Sequence, residues 1–424
     1  MKVALLLLLT FMTYPSSFDG LIEFESVFDT SNLSSKKQEI IISPEFSFNL
    51  KKVEFISSLR IRSDLKNSLG SSNLFEYQSD LSKSLIKTNS TQIAIRELYV
   101  DEQWGPWMIR LGKQQIVWGQ ADGLKVLDQI NPQSFREFIL DSFEDSRIGQ
   151  WSIQLEKDLK HDKSLQLFSI LDNTHNEIMD TNSEYAFSSK YITSKFKSQP
   201  VLLNVQRGSG LLKNSSFGVR LSEFKNGWDL TYNYLYFKHH SPVLYSDLTK
   251  GVRLVFPEYE RSHLLGASAS NSFGYFTLRF ELAYLSDQYN LAKDINFLRG
   301  IINSSEVNYV LGIDWTKLSN TFISFQVFQS YVLNDAQSMI RDELDTKLSF
   351  LVKKDFLNET LSFELFYLYS VNDGDGLFRP RASYEFNTDQ KIILSLDIFH
   401  GDVEGLFGQF SSKDRISLSY EWGF

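Results

Sequence analysis

The sequence predicts an all-β fold, a transmembrane antiparallel β-barrel of 16–18 strands with 18 favoured. Many short segments alternate apolar and polar residues, which is the period-two pattern of a strand with one lipid face and one polar face. The segments are joined by alternately short and long links. No internal segment has the roughly 18 or more apolar residues that a spanning helix needs. Together these observations favour strands over helices as the membrane-crossing elements.

The start of the chain has the pattern of a secretory signal peptide. Met1-Lys2 precedes an apolar run from Val3 to Met12, and small polar residues follow at Ser16-Ser17. A charged start, a short apolar core and small residues are typical of such a leader. We therefore assign residues 1–19 to the signal peptide and residues 20–424 to one barrel. The formal net charge of −9 argues against a nucleic-acid partner.

The barrel strands can be placed along the chain from their alternation, with bounds uncertain by about 2–4 residues. They are 20–29, 38–50, 52–63, 91–102, 106–117, 147–157, 164–172, 215–225, 227–238, 260–271, 274–286, 305–317, 321–333, 344–355, 360–371, 377–387, 390–399 and 412–424. A count of 16 is the alternative, should 38–50 and 52–63 or another weak pair be misassigned. Segment 91–102 requires a bulge, because otherwise Arg96 or Glu97 would face lipid.

The final strand carries a second signature. Ile416, Leu418, Tyr420, Trp422 and Phe424 alternate with polar or small residues, and the sequence finishes on the aromatic residue. This resembles the C-terminal signature of Gram-negative outer-membrane barrels. The resemblance implies outer-membrane lipid as surroundings and the barrel assembly machinery as a partner through this strand.

The link at 118–146 differs from the other long links because it is neither strand-like nor merely polar. Asn131-Pro132 predicts a helix start, with Asn131 as N-cap and Pro132 at the first helical position. Phe135, Phe138, Ile139 and Phe143 follow at helical spacing. The sequence therefore predicts an amphipathic helix from Pro132 to about Phe143, with its aromatic side against the barrel wall and its charged side toward water.

The inward positions of the predicted strands are often charged. The cations are Arg60, Arg62, Arg110, Arg279, Lys347, Lys353, Arg379, Arg381 and Arg415, and carboxylates such as Glu281 and Glu421 accompany them. One interpretation is a wall whose charges pair across strands. The other is a basic ladder that guides anionic solutes. Both stay open on the sequence alone.

The stretch from Arg110 to Arg147, together with the final strand, resembles a family of largely uncharacterised Gram-negative outer-membrane porins. The matching residues read R-L-G-K-Q-Q-I-V-W-G, then N-P-Q-S-F-R-E-F, then F-E-D-S-R. The resemblance implies a channel for passive diffusion of small hydrophilic solutes, in which the third long loop, 118–146, folds into the barrel and narrows it.

We expect charged residues of this loop and of the wall to line the constriction. The carboxylates Asp141, Glu144 and Asp145 are expected to face Arg110 and Lys113 across the channel. The full set of candidate pore-lining residues is Arg110, Lys113, Arg136, Glu137, Asp141, Glu144, Asp145, Arg147, Arg279, Arg379, Arg381 and Arg415.

Two other functions stay open. An outer-membrane barrel enzyme of the lipase or protease type would need a nucleophile and a His near one rim, but the sequence has no G-x-S-x-G motif. The pair His239-His240 has no metal-ligand spacing and is expected to be exposed. The second alternative is a closed adhesive or structural barrel. We expect no catalytic residues, no cofactor and no metal, and a homo-oligomer remains an open alternative because trimers are common among porins.

Overall fold

The computed structural model describes residues 17–67, 69, 75–121, 123–179, 183–186, 201–202, 214–249 and 251–424. Residues 1–16 of the predicted signal peptide, 1–19, lie outside the described residues. No helix in the described ranges is long and apolar enough to cross a membrane.

The structure is made almost entirely of strands, here numbered in chain order. Those of the first half are β1 Ser17–Asp29, β2 Ser35–Leu50, β3 Val53–Asp64, β4 Ile86–Lys87, β5 Thr91–Trp104, β6 Trp107–Gln114, β7 Gln150–Leu159, β8 Lys163–Ile170, β9 Val201–Leu202, β10 Ser216–Lys225 and β11 Trp228–Lys238. Those of the second half are β12 Val243–Thr249, β13 Val252–Glu258, β14 Arg261–Phe273, β15 Phe276–Leu291, β16 Ile301–Trp315, β17 Thr321–Val332, β18 Leu344–Phe356, β19 Leu361–Ser370, β20 Asp375–Asn387, β21 Gln390–His400 and β22 Arg415–Gly423.

Eighteen of these described strands form one closed antiparallel barrel. Each pairs with the next in sequence, and β22 pairs with β1 to close the sheet. The backbones of Gly20 and Phe424 complete the closure through two hydrogen bonds of 3.0 Å. Each of the eighteen predicted strands overlaps one barrel strand, so the favoured count is confirmed and the count of 16 is wrong. The short strand β4 pairs only with the first residues of β5. Strands β9, β12 and β13 form a separate small sheet.

The two ends of the barrel differ. The end that holds Ser17 and Phe424, here called the terminal end, has short turns such as Asn226-Gly227. The opposite, distal end carries the long links. At the terminal end the ring of Phe18 lies 4.9 Å from that of Phe46 and 5.5 Å from that of Phe424. Outward aromatic rings at one rim are typical of the interfacial girdle of membrane barrels.

The alternation of faces is as predicted. On β22 the side chains of Leu418 and Trp422 are exposed on the outer face, whereas Arg415, Ser417 and Ser419 are buried on the inner face. The predicted bulge on β5 is also present. Ser58 pairs with Glu97 and Leu59 with Ile95, so Arg96 is the extra residue. The bulge allows Arg96 and Glu97, although adjacent, both to make polar contacts inside the barrel.

We predict that Arg at Leu394 will impair assembly. Leu394 is exposed on the outer face midway along β21, and an Arg near the centre of a bilayer costs about 2–4 kcal/mol. The matched control is Ser395→Arg, because the Ser395 hydroxyl lies inside the barrel, 2.6 Å from that of Ser417. Leu278 also faces outward but lies close to the turn before β15, so Leu394 is the better site for this test. Assembly is measured by heat-modifiable mobility in gels, and equal loss in both variants would contradict the register.

Candidate functional site

The interior of the barrel is crossed by loop L3, residues 115–149, which joins β6 to β7. Its first half packs against the inner faces of β8, β11 and β14–β17. Trp118, Leu127 and Ile130 are fully buried there, in a cluster that also contains Leu235 and Leu264 from the wall. The indole nitrogen of Trp118 donates to Gln166 over 2.8 Å. The inward folding of the third long loop is therefore confirmed.

Glu281 on β15 fixes this half of L3. Its carboxylate accepts hydrogen bonds from the backbone N–H groups of Gln120, Ala121 and Leu127, the last two at 2.9 and 3.3 Å. The neighbouring Arg279 donates to the carbonyl of Gln120 over 2.7 Å. Arg279 also pairs with Asp314 at 2.8 Å, so its guanidinium is committed to the wall and to L3.

The second half of L3 packs against the opposite wall. Phe138 is buried against Phe399, Phe407 and Phe410, with ring centroids 4.7–6.1 Å apart. Burying a Phe side chain stabilises by about 1.5–3 kcal/mol. Because the two halves of L3 are held by opposite walls, the loop spans the lumen rather than lying along one side.

The predicted helix from Pro132 to Phe143 is wrong. Asn131 does not cap a helix, because its amide bonds both backbone groups of Ile116, at 2.7 and 3.2 Å. Phe138 has a φ of 55°, which no right-handed helix tolerates. The helix present is a single turn, Phe143–Ser146, whose N-cap Ser142 accepts from the N–H of Asp145. Of the predicted apolar face, Phe138 and Ile139 join the wall cluster, whereas Phe135 and Phe143 line a cavity.

A narrow neck closes the inner part of L3. The N–H of Ser134 donates to the carbonyl of Ser146 over 2.7 Å, and that of Ile148 donates to the carbonyl of Pro132 over 2.9 Å. Arg147 stands at the neck and pairs with Asp128 at 2.8 Å. These hydrogen bonds join the two ends of segment 135–145. We call this segment the tip of L3.

Two adjacent tip residues, Arg136 and Glu137, are held by wall charges, and we call this arrangement the clamp. Arg136 pairs with Glu39 at 2.7 Å. Glu137 pairs with Lys37 at 3.5 Å and is hydrogen-bonded by Arg415. All five side chains are buried. The clamp thereby ties the tip to β2 and β22.

The clamp carboxylate of Glu137 stays ionised. Burial by itself would raise the pKa of Glu137, but the ammonium of Lys37 and the guanidinium groups of Arg136 and Arg415 hold it well below its usual range. A carboxylate with a lowered pKa stabilises the docked loop above the pKa of a free Glu. That stabilisation is lost only as the pH falls through the lowered value.

The remaining tip carboxylates meet Arg60 and Arg96. Asp145 pairs with Arg60 at 2.8 Å and with Arg96 at 3.0 Å, and Glu144 lies 3.7 Å from Arg96. Arg110 and Lys113, the predicted partners of these carboxylates, bind other groups. Arg110 makes a bidentate pair with Asp101 at 2.6–2.7 Å, and the buried ammonium of Lys113 donates to the carbonyl of Ile95. The expectation that Arg110 and Lys113 oppose the tip is therefore wrong.

On the β20 wall the two predicted arginines differ. Arg379 pairs with Asp397 at 2.7 Å and donates to the carbonyl of Leu140 in the tip over 2.8 Å. Arg381 is exposed in the lumen, and among the described residues it has no ion pair and no hydrogen bond. Arg381 is therefore a cation that a passing solute can reach.

Two cavities lie on either side of the tip. The lower vestibule, about 780 Å³, opens toward the terminal end and is lined by residues that include Glu23, Arg60 and Arg381. The upper vestibule, about 410 Å³, opens toward the distal end and is lined by residues that include Phe143 and His239. Asp141 lines both. It therefore stands where the two vestibules approach each other.

The sequence did not reveal several residues that hold L3 in place. His240 was expected to be exposed, but its Nε2 lies 2.9 Å from the carbonyl of Ile130 and tethers L3 to the link after β11. Burial lowers the pKa of His240 to about 4, so the ring is neutral at neutral pH. Glu39 was placed on the predicted strand 38–50 and Lys37 just before it, but nothing local marked them as clamp partners. In the described part of the chain, no group of three or more His, Asp and Glu is arranged to hold a metal ion.

Comparison with known proteins gives one family and a set of distant structures. The family model described as "Protein of unknown function (DUF1302)" matches residues 27–346. No curated protein sequence matches.

The structural matches span nearly the whole chain. The Acinetobacter baumannii OccAB4 structure is 11% identical with a TM-score of 0.53, covering 96% of this chain and 98% of its own. Pseudomonas aeruginosa OccK8 (OprE) is also 11% identical with a TM-score of 0.53, covering 96% and 97%. P. aeruginosa OccK2 (OpdF) in complex with glucuronate is 9% identical with a TM-score of 0.52, covering 96% and 97%. At these identities the likeness concerns the fold.

Proposed function

The chain belongs to the DUF1302 family, and from this premise we propose that it is an outer-membrane channel of the porin type for passive diffusion of small hydrophilic solutes. One observation carries the proposal. A closed barrel of eighteen strands is wide enough to leave an aqueous channel, and L3 crosses it without filling it. The two vestibules lie on either side of the tip and share Asp141 as a lining residue.

We place the barrel in the outer membrane of a Gram-negative bacterium, surrounded by lipid. The short turns and the terminal end would face the periplasm, and the long links would face outside. Assembly through the final strand by the barrel assembly machinery fits the outward position of Trp422 and Phe424 near the terminal rim. A homo-oligomer is compatible with this arrangement.

The mechanism we propose is size exclusion with electrostatic selection and involves no covalent step. The tip of L3 is the constriction, and the clamp holds it in the path. Charges at a narrow, low-dielectric passage act on a solute more strongly than the same charges on an open surface. Glucuronate, bound in the OccK2 structure, is small and hydrophilic, and we extend only this size and polarity class to the present channel.

The enzyme and adhesive alternatives lack support from the arrangement of side chains. Of the two adjacent histidines, His239 hydrogen-bonds to the carbonyl of Asp287 and His240 to that of Ile130. Both rings therefore bind backbone carbonyls and not the hydroxyl or carboxylate of a nucleophile. A closed adhesive barrel would not need vestibules on both sides of its inner loop.

Purified protein in a planar bilayer tests the proposal. Stepwise, ohmic single-channel currents are expected. Absence of current from correctly folded, heat-modifiable protein over a range of salt concentrations would overturn the channel function.

A further inference from the structure

The charges that line the lower vestibule are mostly paired with one another. Among the described residues the lining contains eight cationic and eleven acidic side chains. Seven of the eight cations pair with a carboxylate, as Arg60 does with Asp145 and Arg379 with Asp397. A paired charge presents little field to a passing ion, because its partner cancels most of it within one Debye length.

The charges left uncompensated are mainly negative. Arg381 is the single lining cation of the described residues without a carboxylate partner. Five described carboxylates of the same lining take part in no ion pair, and these are Asp19, Glu23, Glu45, Asp141 and Asp389. The field that a solute meets is therefore that of carboxylates, although the wall is rich in arginine.

Asp141 has a special place among the five. The other four line only the lower vestibule, whereas Asp141 also lines the upper one. On the upper side Lys125 lies 3.2 Å from Asp128, a carboxylate that also binds Arg147. An uncompensated negative charge is thus present at the one residue, among those described, that lines both vestibules.

We propose that the channel prefers cations and that its solutes carry an ammonium or guanidinium group attracted by Asp141. This inference rests on the proposed channel function and deepens it. It also resolves the basic-ladder interpretation, because arginines that are already paired cannot offer their charge to an anion. Arg381 remains as a local contact for a carboxylate on the same solute, so a basic amino acid matches the lining better than a simple anion does.

Reversal potentials in a KCl gradient test the charge preference. The wild-type channel is expected to favour K⁺, and Asp141→Asn to lower the permeability ratio of K⁺ to Cl⁻ by about two- to tenfold, the effect of one partly screened unit charge at close range. Asp141→Glu is the matched control and should keep the preference. Arg381→Gln should strengthen it, because the uncompensated cation is removed. An unchanged conductance in concentrated salt verifies that L3 is still in place.

Solute efflux from liposomes is the second measurement. The dication 1,3-diaminopropane should leave faster than malonate, a dianion of similar length, and Asp141→Asn should narrow the difference. If the wild-type channel conducts but shows no cation preference, or if malonate leaves as fast, the inference is overturned and the channel function stands. If the protein neither conducts nor releases either solute, the channel function fails as well.

The pH dependence gives a third readout. Burial raises the pKa of Asp141, and the Glu137 carboxylate raises it further, against the opposing charges of Lys37, Arg136 and Arg62. An acid with a raised pKa loses its charge at a higher pH than a free Asp does. The cation preference should therefore begin to decline on acidification before a free Asp would titrate, and Asp141→Asn should remove this step.

Discussion

Excising the tip of L3 is expected to raise the single-channel conductance severalfold. The deletion removes residues 135–145 and joins Ser134 to Ser146 through two glycines. Those two residues already meet through a 2.7 Å backbone hydrogen bond, and the bridge between Gln133 and Arg147 lies beside it. The neck should therefore survive, while the clamp and Asp141 are lost and the vestibules merge into one wide pore.

A deletion elsewhere controls for the loss of chain. In the hairpin of β12 and β13 Leu244 pairs with Pro257, so residues 245–256 can be excised and the two ends joined by a similar linker. None of these residues lines either vestibule. This control should keep the wild-type conductance. An assembled tip-deleted barrel that conducts as the wild type does would show that the tip is not the constriction.

The barrel was predictable because each strand alternates apolar residues, which face outward, with polar residues, which face the lumen. The pair β2–β3 aligns Ile42 with Ile61, and both segments alternate over their length, so the weak pair was still recognisable. The bulge at Arg96 was predictable for the same reason, because two adjacent charges cannot both face inward on a regular strand. Period and register are local properties, and the sequence contains them.

The path of L3 was not predictable because it is determined by distant contacts. Asn131 followed by Pro132 is a good helix start in isolation, but the amide of Asn131 is engaged by Ile116 across the loop. Phe138 packs in the wall cluster, and its backbone there has a left-handed φ that a helix does not allow. The true cap could have been found locally, since Ser142 stands three residues before Asp145, an arrangement related to the capping box.

The charge partners of the tip show a further limit. Alternation tells that Arg60 and Arg110 both point inward, but it does not tell which part of the circumference the loop reaches. L3 crosses from the side of β15 to the side of β2 and β22, so its carboxylates meet β3 and β5 rather than β6. Inward direction is encoded in the strand, whereas the partner depends on how the loop crosses the lumen.

Glu137→Gln is expected to release the tip from the wall. The substitution keeps the size of the side chain but leaves Arg415 and Lys37 with one buried carboxylate fewer. Removing one partner of a buried ion pair destabilises by about 3–5 kcal/mol. We expect single-channel records in which the quiet wild-type level gives way to frequent transitions to a larger conductance, as the tip undocks and returns.

Two comparisons separate the clamp from a general effect of losing a carboxylate. Glu144→Gln makes the same change on the same loop, but Glu144 is exposed and lies 3.7 Å from Arg96, so its loss should cost about 1 kcal/mol or less. Combining Glu137→Gln with Arg415→Met removes both members of the buried pair, and Asp397 keeps Arg379 as its partner. The double variant should be quieter than the single one, because the guanidinium that would lose one of its two carboxylates is no longer beside the tip. Records of Glu137→Gln as quiet as those of Glu144→Gln would contradict the role of Glu137 in the clamp, and the tip would then be held by its other contacts, such as the Arg136–Glu39 pair and the packing of Phe138.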